Sequence, residues 1–157
     1  MRHGDSLVEG KEMQNQSPSL FRVISTDYPS FLSALFPIVF GCFTAYFFFT
    51  GNDSLQLFLL LTIVVTVLGI PFLIQRYRMI SSVLAEGVQV PGVVTRIGFF
   101  RGRGRVEYSY TVQGEKQMSG NAINKNSHTR DLQVGQTVKV SVDRNDPKRA
   151  FIREIYL

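Results

Sequence analysis

Two apolar runs without a charged residue constrain the fold of this 157-residue chain more than any other feature. Residues 31–50 form the first run and residues 55–74 form the second. A helix rises about 1.5 Å per residue, so about twenty residues match a hydrocarbon core of about 30 Å. Because only four residues separate the runs, the sequence predicts a tight antiparallel hairpin of two transmembrane helices.

The distribution of positive charge predicts the orientation of this hairpin. Lys11 and Arg22 precede the first run, and Arg76 and Arg78 follow the second, whereas the connecting turn has neither Lys nor Arg. Short loops rich in Lys and Arg stay in the cytoplasm, so both termini are expected there. Arg76, Tyr77 and Arg78 are expected to anchor the hairpin at the membrane interface.

The sequence predicts three parts of the chain: a tail, the hairpin and a C-terminal domain. Residues 1–29 are mostly polar and predict an N-terminal tail, with a short apolar patch at residues 20–24 that is expected to lie at the membrane surface. Residues 30–86 form the hairpin, since helical spacing of apolar residues continues beyond position 75 as a cytoplasmic extension. Gly87 is a natural end for that helix. Residues 87–157 form a separate domain.

A change of apolar period from 3.6 to 2 indicates that residues 87–157 form a β-domain. Inward candidates alternate with polar residues at Val106, Tyr108 and Tyr110, and again at Val138 and Val140. Weaker strand candidates are residues 88–97, 116–123 and 149–156, with turns at 98–104, 113–115 and 144–148. The predicted fold class is an α+β membrane protein: a two-helix transmembrane hairpin followed by a five-strand antiparallel domain resembling a small SH3-like or OB-like barrel.

The end of the β-domain carries a recognisable pattern. The segment VSVDRNDPKRA (residues 140–150) follows an earlier YSYTVQG (residues 108–114), with Gly135 before the later strand. In this arrangement the chain resembles a bacterial family of uncharacterised small membrane proteins, in which a two-helix hairpin precedes a β-domain ending in a V-x-Y-D-P-x-N-P-x-x-A-like signature. The resemblance implies an architecture and a bacterial inner membrane location, but no activity. The signature itself is interpreted as a turn, in which Asn145 and Asp146 bond to nearby backbone and Pro147 fixes φ.

No pattern of an enzyme or metal protein is present in the sequence. Cys42 is the only cysteine, and His3 and His128 are 125 positions apart. Serines of the strand segments have no histidine or other base at a recognisable spacing. The sequence therefore predicts no catalytic residue, no metal ligand and no cofactor site.

The segment GFFRGRGRV (residues 98–106) is the candidate contact site. Phe99, Phe100, Arg101, Arg103 and Arg105 are expected to lie between the first two strands, close to an anionic membrane leaflet. Each basic residue near such a surface contributes about 1 kcal/mol. Contact with lipid or an acidic protein, and a flexible turn whose arginines keep the domain soluble, both remain open. Nucleic acid is disfavoured, because basic residues and stacking aromatics alternate nowhere else in the domain.

Two functions fit these features. The first is a non-enzymatic integral membrane accessory or scaffold subunit, whose partners are membrane lipids and other membrane subunits or a second copy of the chain. The second is a membrane-anchored binding module for an acidic ligand, an anionic lipid or nucleic acid. The phenylalanine-rich first helix favours the first hypothesis, because aromatic bulk on several sides suits contact with neighbouring helices.

Overall fold

The computed structural model describes residues 17–157. The first sixteen residues of the predicted N-terminal tail, including Lys11, lie outside the described residues. The elements in chain order are α1 (Leu20–Thr26), α2 (Tyr28–Thr50), α3 (Leu55–Glu86), β1 (Val88–Phe100), β2 (Arg103–Val112), β3 (Glu115–Asn124), β4 (Thr137–Val142), β5 (Ala150–Ile152) and α4 (Arg153–Tyr156). Helix α1 therefore occupies part of the range that the sequence predicts as a polar tail.

Helices α2 and α3 form the hairpin, and both are long and apolar enough to cross a membrane. A hydrogen bond of 2.8 Å joins the Thr44 and Thr62 hydroxyls across the pair. Gly69 brings the backbones close together, since a Cβ there would lie 3.0 Å from the Ser33 carbonyl oxygen. Polar side chains and small residues are the usual means by which helices associate in lipid.

Some of the phenylalanine side chains of α2 pack between the two helices of the hairpin. The Phe58 ring of α3 lies 4.7 Å from Phe47, 5.5 Å from Phe43 and 6.3 Å from Phe40, centroid to centroid. Tilted aromatic pairs at such distances contribute an attraction in addition to the stabilisation from the area that they bury. Many other large side chains of the hairpin face outward, including Phe36, Phe48, Phe49, Leu60, Val67 and Leu68.

The start of α2 differs from the predicted boundary. Helix α2 begins at Tyr28, three residues before the uncharged run. The Asp27 carboxylate is the N-cap and accepts hydrogen bonds from the Ser30 amide at 3.1 Å and the Ser30 hydroxyl at 2.7 Å. Pro29 at the second helical position suits a helix start, because its amide would lack an intrahelical partner anyway.

The five strands form one antiparallel sheet in the order β3-β2-β1-β4-β5. Strand β1 is shared by both halves, since it pairs with β2 and β4 and carries an irregularity between Val94 and Arg96. The sheet nearly closes on itself, because the Asn121 side-chain amide of β3 donates to the Ala150 carbonyl of β5 at 3.2 Å. The predicted α+β class, with a helical hairpin followed by a barrel-like antiparallel domain, is confirmed.

The hairpins on both sides of β2 close through two-residue turns. Arg101 and Gly102 have φ of 49° and 81°, and Gln113 and Gly114 have φ of 54° and 82°. Two consecutive positive φ values are typical of type I′ turns, whose twist matches that of the adjoining strands. The first turn is therefore much shorter than the predicted 98–104, and Phe99 and Phe100 belong to strand β1.

The last residues do not form the predicted strand 149–156. Strand β5 covers only Ala150–Ile152, and α4 follows directly. Ile155 and Tyr156 are both completely buried. An extended strand would point these neighbours to opposite faces, whereas a helical turn directs both into the same core.

The hydrophobic core joins the sheet to the part of α3 that extends beyond the apolar run. Val106, Tyr108 and Tyr110 of β2 are buried, as predicted from their alternation. The remaining core residues come from the other four strands and from α1, α3 and α4: Val23, Ile80, Val83, Leu84, Val94, Ile123, Val138, Val140, Val142, Ala150, Phe151, Ile152, Ile155 and Tyr156. The β-domain thus shares its core with α1 and α3.

Candidate functional site

A buried ion pair lies where the two long helices meet the β-domain. Asp27 is completely buried, and the Arg76 side chain is 22% exposed. Arg76 Nη2 donates to Asp27 Oδ1 at 2.9 Å, and Arg76 Nε donates to Oδ2 at 3.1 Å. This two-point geometry fixes both side chains, because the planar guanidinium matches the carboxylate. The pair ties the start of α2 to α3.

Tyr156 of α4 completes the environment of this carboxylate. Its hydroxyl donates to Asp27 Oδ1 at 3.5 Å. Burial raises the pKa of Tyr156 well above its ordinary value, and the negative charge of Asp27 adds to the rise. The hydroxyl therefore keeps its proton at neutral pH and remains a donor.

Further contacts connect α4 to the helices around it. Arg153 Nη1 donates to the Leu84 carbonyl of α3 at 2.7 Å. Arg22 of α1 donates to the Leu157 carbonyl and, at 3.2 Å, to the Glu154 carbonyl. We call Arg22, Asp27, Arg76, Arg153 and Tyr156 the junction. Through these contacts the hairpin, α1 and α4 are held in one arrangement, and the Arg76 guanidinium also lies 5.6 Å from the centre of the Phe151 ring of β5.

The predicted interface anchors take different positions around the junction. Arg76 forms the ion pair with Asp27, and the Tyr77 hydroxyl donates to the Pro18 carbonyl at 3.1 Å. Arg78 is exposed. Anchoring at a lipid interface stays a prediction for these three residues. Sequence reasoning did not identify Asp27, although a single acid immediately before a Tyr-Pro-Ser helix start is a usable capping signal.

The β1–β2 turn brings two arginines next to the first turn of α2. Arg103 Nη1 donates to the Tyr28 hydroxyl at 2.8 Å, and the Arg103 guanidinium lies 5.6 Å from the centre of the Tyr28 ring. Arg101 stands in the turn with its guanidinium 5.1 Å from the centre of the Phe100 ring. Cation–π contacts of this kind orient a guanidinium without neutralising it.

The other predicted contact residues are directed elsewhere. Arg105 Nε lies 3.3 Å from Glu107 Oε1. Phe99 is half-buried against the core and lies beneath Lys125, whose Nζ is 5.7 Å from the ring centre. The structure therefore brings together Phe100, Arg101 and Arg103 at the outside of the turn. Arg105 contacts Glu107 instead, and Phe99 contacts Lys125.

An open cavity of about 630 Å³ lies between this turn and the start of α2. Its polar lining comes mainly from α1, the β1–β2 turn and the adjoining ends of β2 and β3, and its apolar lining comes from α2. The lining residues are Ser25, Tyr28, Phe31, Leu32, Arg101, Gly102, Arg103 and Asn124. We call it the interface cavity. Within residues 17–157, no group of three or more His, Cys, Asp or Glu residues is placed to hold a metal ion.

The turn between β4 and β5 explains the sequence signature in structural terms. The Asp143 carboxylate accepts from the Asn145 amide at 2.9 Å, and the Asp146 carboxylate accepts from the Lys148 amide at 3.2 Å. Asp143, rather than the predicted Asn145, therefore acts with Asp146 to shape the turn. The Tyr110 hydroxyl donates to the Pro147 carbonyl, and the Tyr108 hydroxyl lies 2.6 Å from the Ala150 carbonyl oxygen. The two parts of the pattern thus contact each other.

A protein-family comparison agrees with this division of the chain. Residues 87–154 match the model of a domain of unknown function, DUF3592. The DUF3592 match contains all five strands and fits an uncharacterised family with a C-terminal β-domain. Of the junction, only Arg153 lies within the DUF3592 range. No curated protein and no solved structure gives a significant match to the chain.

Proposed function

We propose that the chain is a non-enzymatic accessory or scaffold subunit of a bacterial inner membrane, with both termini in the cytoplasm. In this role the hairpin contacts other membrane helices, and the β-domain offers a contact surface at the cytoplasmic side. Arg22, Arg76 and Arg78 surround the cytoplasmic ends of the helices, while the turn at residues 51–54 has no basic residue. That distribution supports the orientation.

The observation that carries the proposal is the buried pair of Asp27 and Arg76. Both side chains lie at the end of the apolar runs, the place where a helix leaves the hydrocarbon. Removing two charges from water is costly, and their attraction compensates only when the geometry is good. The Tyr156 hydroxyl of α4 bonds to the same Asp27 carboxylate, and the Arg76 guanidinium lies 5.6 Å from the centre of the Phe151 ring of β5. Together with the ion pair, these contacts support a β-domain held in fixed orientation on the hairpin. A fixed orientation suits a subunit that positions partners.

Exposed side chains of the hairpin support contact with neighbouring helices or lipid. Phe48 is 67% exposed, Leu60 is 60% exposed and Leu68 is 67% exposed, whereas the ring of Phe58 packs inside the hairpin. Lipid covers apolar side chains as readily as protein does, so association in a membrane depends on packing rather than on burial from water.

Photocrosslinking tests this proposal directly. A photoreactive amino acid placed at Leu60, Leu68 or Phe48 in the full-length chain should form a discrete protein adduct in native membranes. An adduct of twice the chain mass would identify a homo-oligomer, and another mass would identify a different subunit. The matched control at Phe58 should give no intermolecular adduct. If every outward position gave lipid adducts alone, the subunit proposal would be wrong.

A binding module is the second candidate function. Arg101 and Arg103 support it, because neither makes a salt bridge with any carboxylate in the described part of the chain. An acidic ligand or an anionic lipid would complement that charge, whereas nucleic acid remains disfavoured by the few exposed aromatics around it.

A further inference from the structure

We infer that the interface cavity binds the phosphate of an anionic phospholipid, with the acyl chains lying along α2. This inference rests on the membrane placement proposed above and specifies the ligand class of the interface cavity. Asp27 and Arg76 mark the level at which the apolar runs end, and Tyr28 is the next residue along α2. Since Arg103 bonds to the Tyr28 hydroxyl, the β1–β2 turn lies at that same level.

The charges around the cavity favour a phosphate. Two guanidinium groups, those of Arg101 and Arg103, line it, and none of its lining residues is acidic. Guanidinium groups bind phosphate oxygens through paired N–H donors and are more weakly hydrated than ammonium groups. The carboxylates of Asp27 and Glu107 already have partners, since Asp27 binds Arg76 and Glu107 lies against Arg105.

The apolar side of the cavity favours a lipid over a soluble phosphate. Phe31 and Leu32 belong to the first turns of α2 and line the cavity opposite the arginines. Farther along α2, Phe36 lies one turn after Leu32 and Ile38 lies two turns after Phe31, and both are exposed. A phospholipid would place its phosphate between the arginines and its chains on this face. Inorganic phosphate or glycerol phosphate has no group to occupy it.

A cavity at the other end of the domain provides a contrast. Ser82, Val83, Glu86, Gly87, Asp143, Arg144 and Asn145 line it, with a volume of about 140 Å³. Its single arginine, Arg144, is accompanied by the carboxylates of Glu86 and Asp143. Glu86 is ten residues after Arg76 on α3, a distance of about 15 Å along the helix at about 1.5 Å per residue. Arg144 is exposed, and R144S is therefore a control that removes one arginine charge, as R101S does, outside the interface cavity.

The test uses the purified full-length chain in a neutral detergent, titrated with phosphatidylglycerol or phosphatidylcholine and followed by native mass spectrometry. We expect a clear preference for phosphatidylglycerol. In the R101S/R103S variant this affinity should fall roughly 30-fold, from about 1 kcal/mol for each basic residue at an anionic surface. R144S should bind as the unmodified chain does. Glycerol 1-phosphate should not bind in the same concentration range.

Three results would overturn the inference. These are equal binding of the two lipids, a loss of less than twofold in R101S/R103S, or binding of glycerol 1-phosphate as tight as that of the lipid. If the double variant fails to fold, R101S alone decides. The Arg101 guanidinium lies over the exposed Phe100 ring and makes no salt bridge within residues 17–157, and its removal should still lower the affinity roughly fivefold. Loss of lipid selectivity with intact protein photoadducts would refute this inference and leave the proposed function standing. Intact lipid selectivity without protein photoadducts would refute the subunit proposal and leave the lipid inference standing.

Discussion

Val140→Asp is expected to unfold the β-domain, whereas Lys139→Asp is expected to leave it folded. Val140 is completely buried on β4 and stands between Val90 of β1 and Ile152 of β5 in the sheet register. An aspartate there would bury a carboxylate without a partner, at a cost of several kcal/mol. Such a cost is comparable with the whole stability of a typical domain, about 5–15 kcal/mol.

The neighbouring substitution is the matched control because it introduces the same residue one position away. Lys139 is exposed on the opposite face of β4, and surface substitutions usually change stability by about 0.5 kcal/mol or less. Circular dichroism during heating, together with limited proteolysis of the full-length chain in detergent, distinguishes the two variants. Equal melting temperatures would show that the inward face of β4 has been assigned incorrectly.

Asp27→Asn is expected to destabilise the junction by about 3–5 kcal/mol, the usual result of removing one partner of a buried ion pair. Asparagine is as good an N-cap as aspartate, so the start of α2 should persist and the effect should report the lost charge. The Arg76 guanidinium would remain partly buried without its carboxylate. D131N is the control, since Asp131 is 80% exposed in a surface pair with Arg130.

A second substitution separates the cost of an unpaired charge from general disruption. In D27N/R76M no buried charge remains, so the double variant should be more stable than D27N alone. Thermal unfolding gives the stabilities, and hydrogen exchange at residues 153–156 reports whether α4 has loosened from Asp27. If D27N were as stable as D131N, the Asp27 carboxylate would not be needed to hold α3 and α4 together at the start of α2.

Local sequence patterns were sufficient to predict the main helices and strands of this fold, but not the contacts between them. The alternation in β2 and β4 correctly assigned Val106, Tyr108, Val138 and Val140 to the core, because the side-chain period of a strand is visible in sequence. The Asp27–Arg76 pair joins residues 49 positions apart. No local period encodes such a contact, and burial of Asp27 depends on α4 covering it.

At the candidate contact site, too, the local pattern predicted the turn but not its contacts. An arginine-glycine repeat indicated a basic turn, but the sheet register determines which arginine faces which neighbour. Gly98 is opposite Arg105, and Phe100 is opposite Arg103. Since neighbouring residues of a strand face opposite sides, a shift of one position would reverse the assignment. The contact between Arg103 and Tyr28 then depends on the packing of α2, which the segment itself cannot reveal.

Thiol labelling of intact spheroplasts tests most directly whether the hairpin spans the membrane with the β-domain on its cytoplasmic side. Cys42 is the only cysteine, so C42S provides a background for single cysteines at Asn52, in the helix turn, and at Lys116, after the β2–β3 turn. Both positions are exposed. A membrane-impermeant maleimide should label N52C in intact spheroplasts, and K116C only after permeabilisation. Labelling of K116C in intact spheroplasts would contradict the proposed topology.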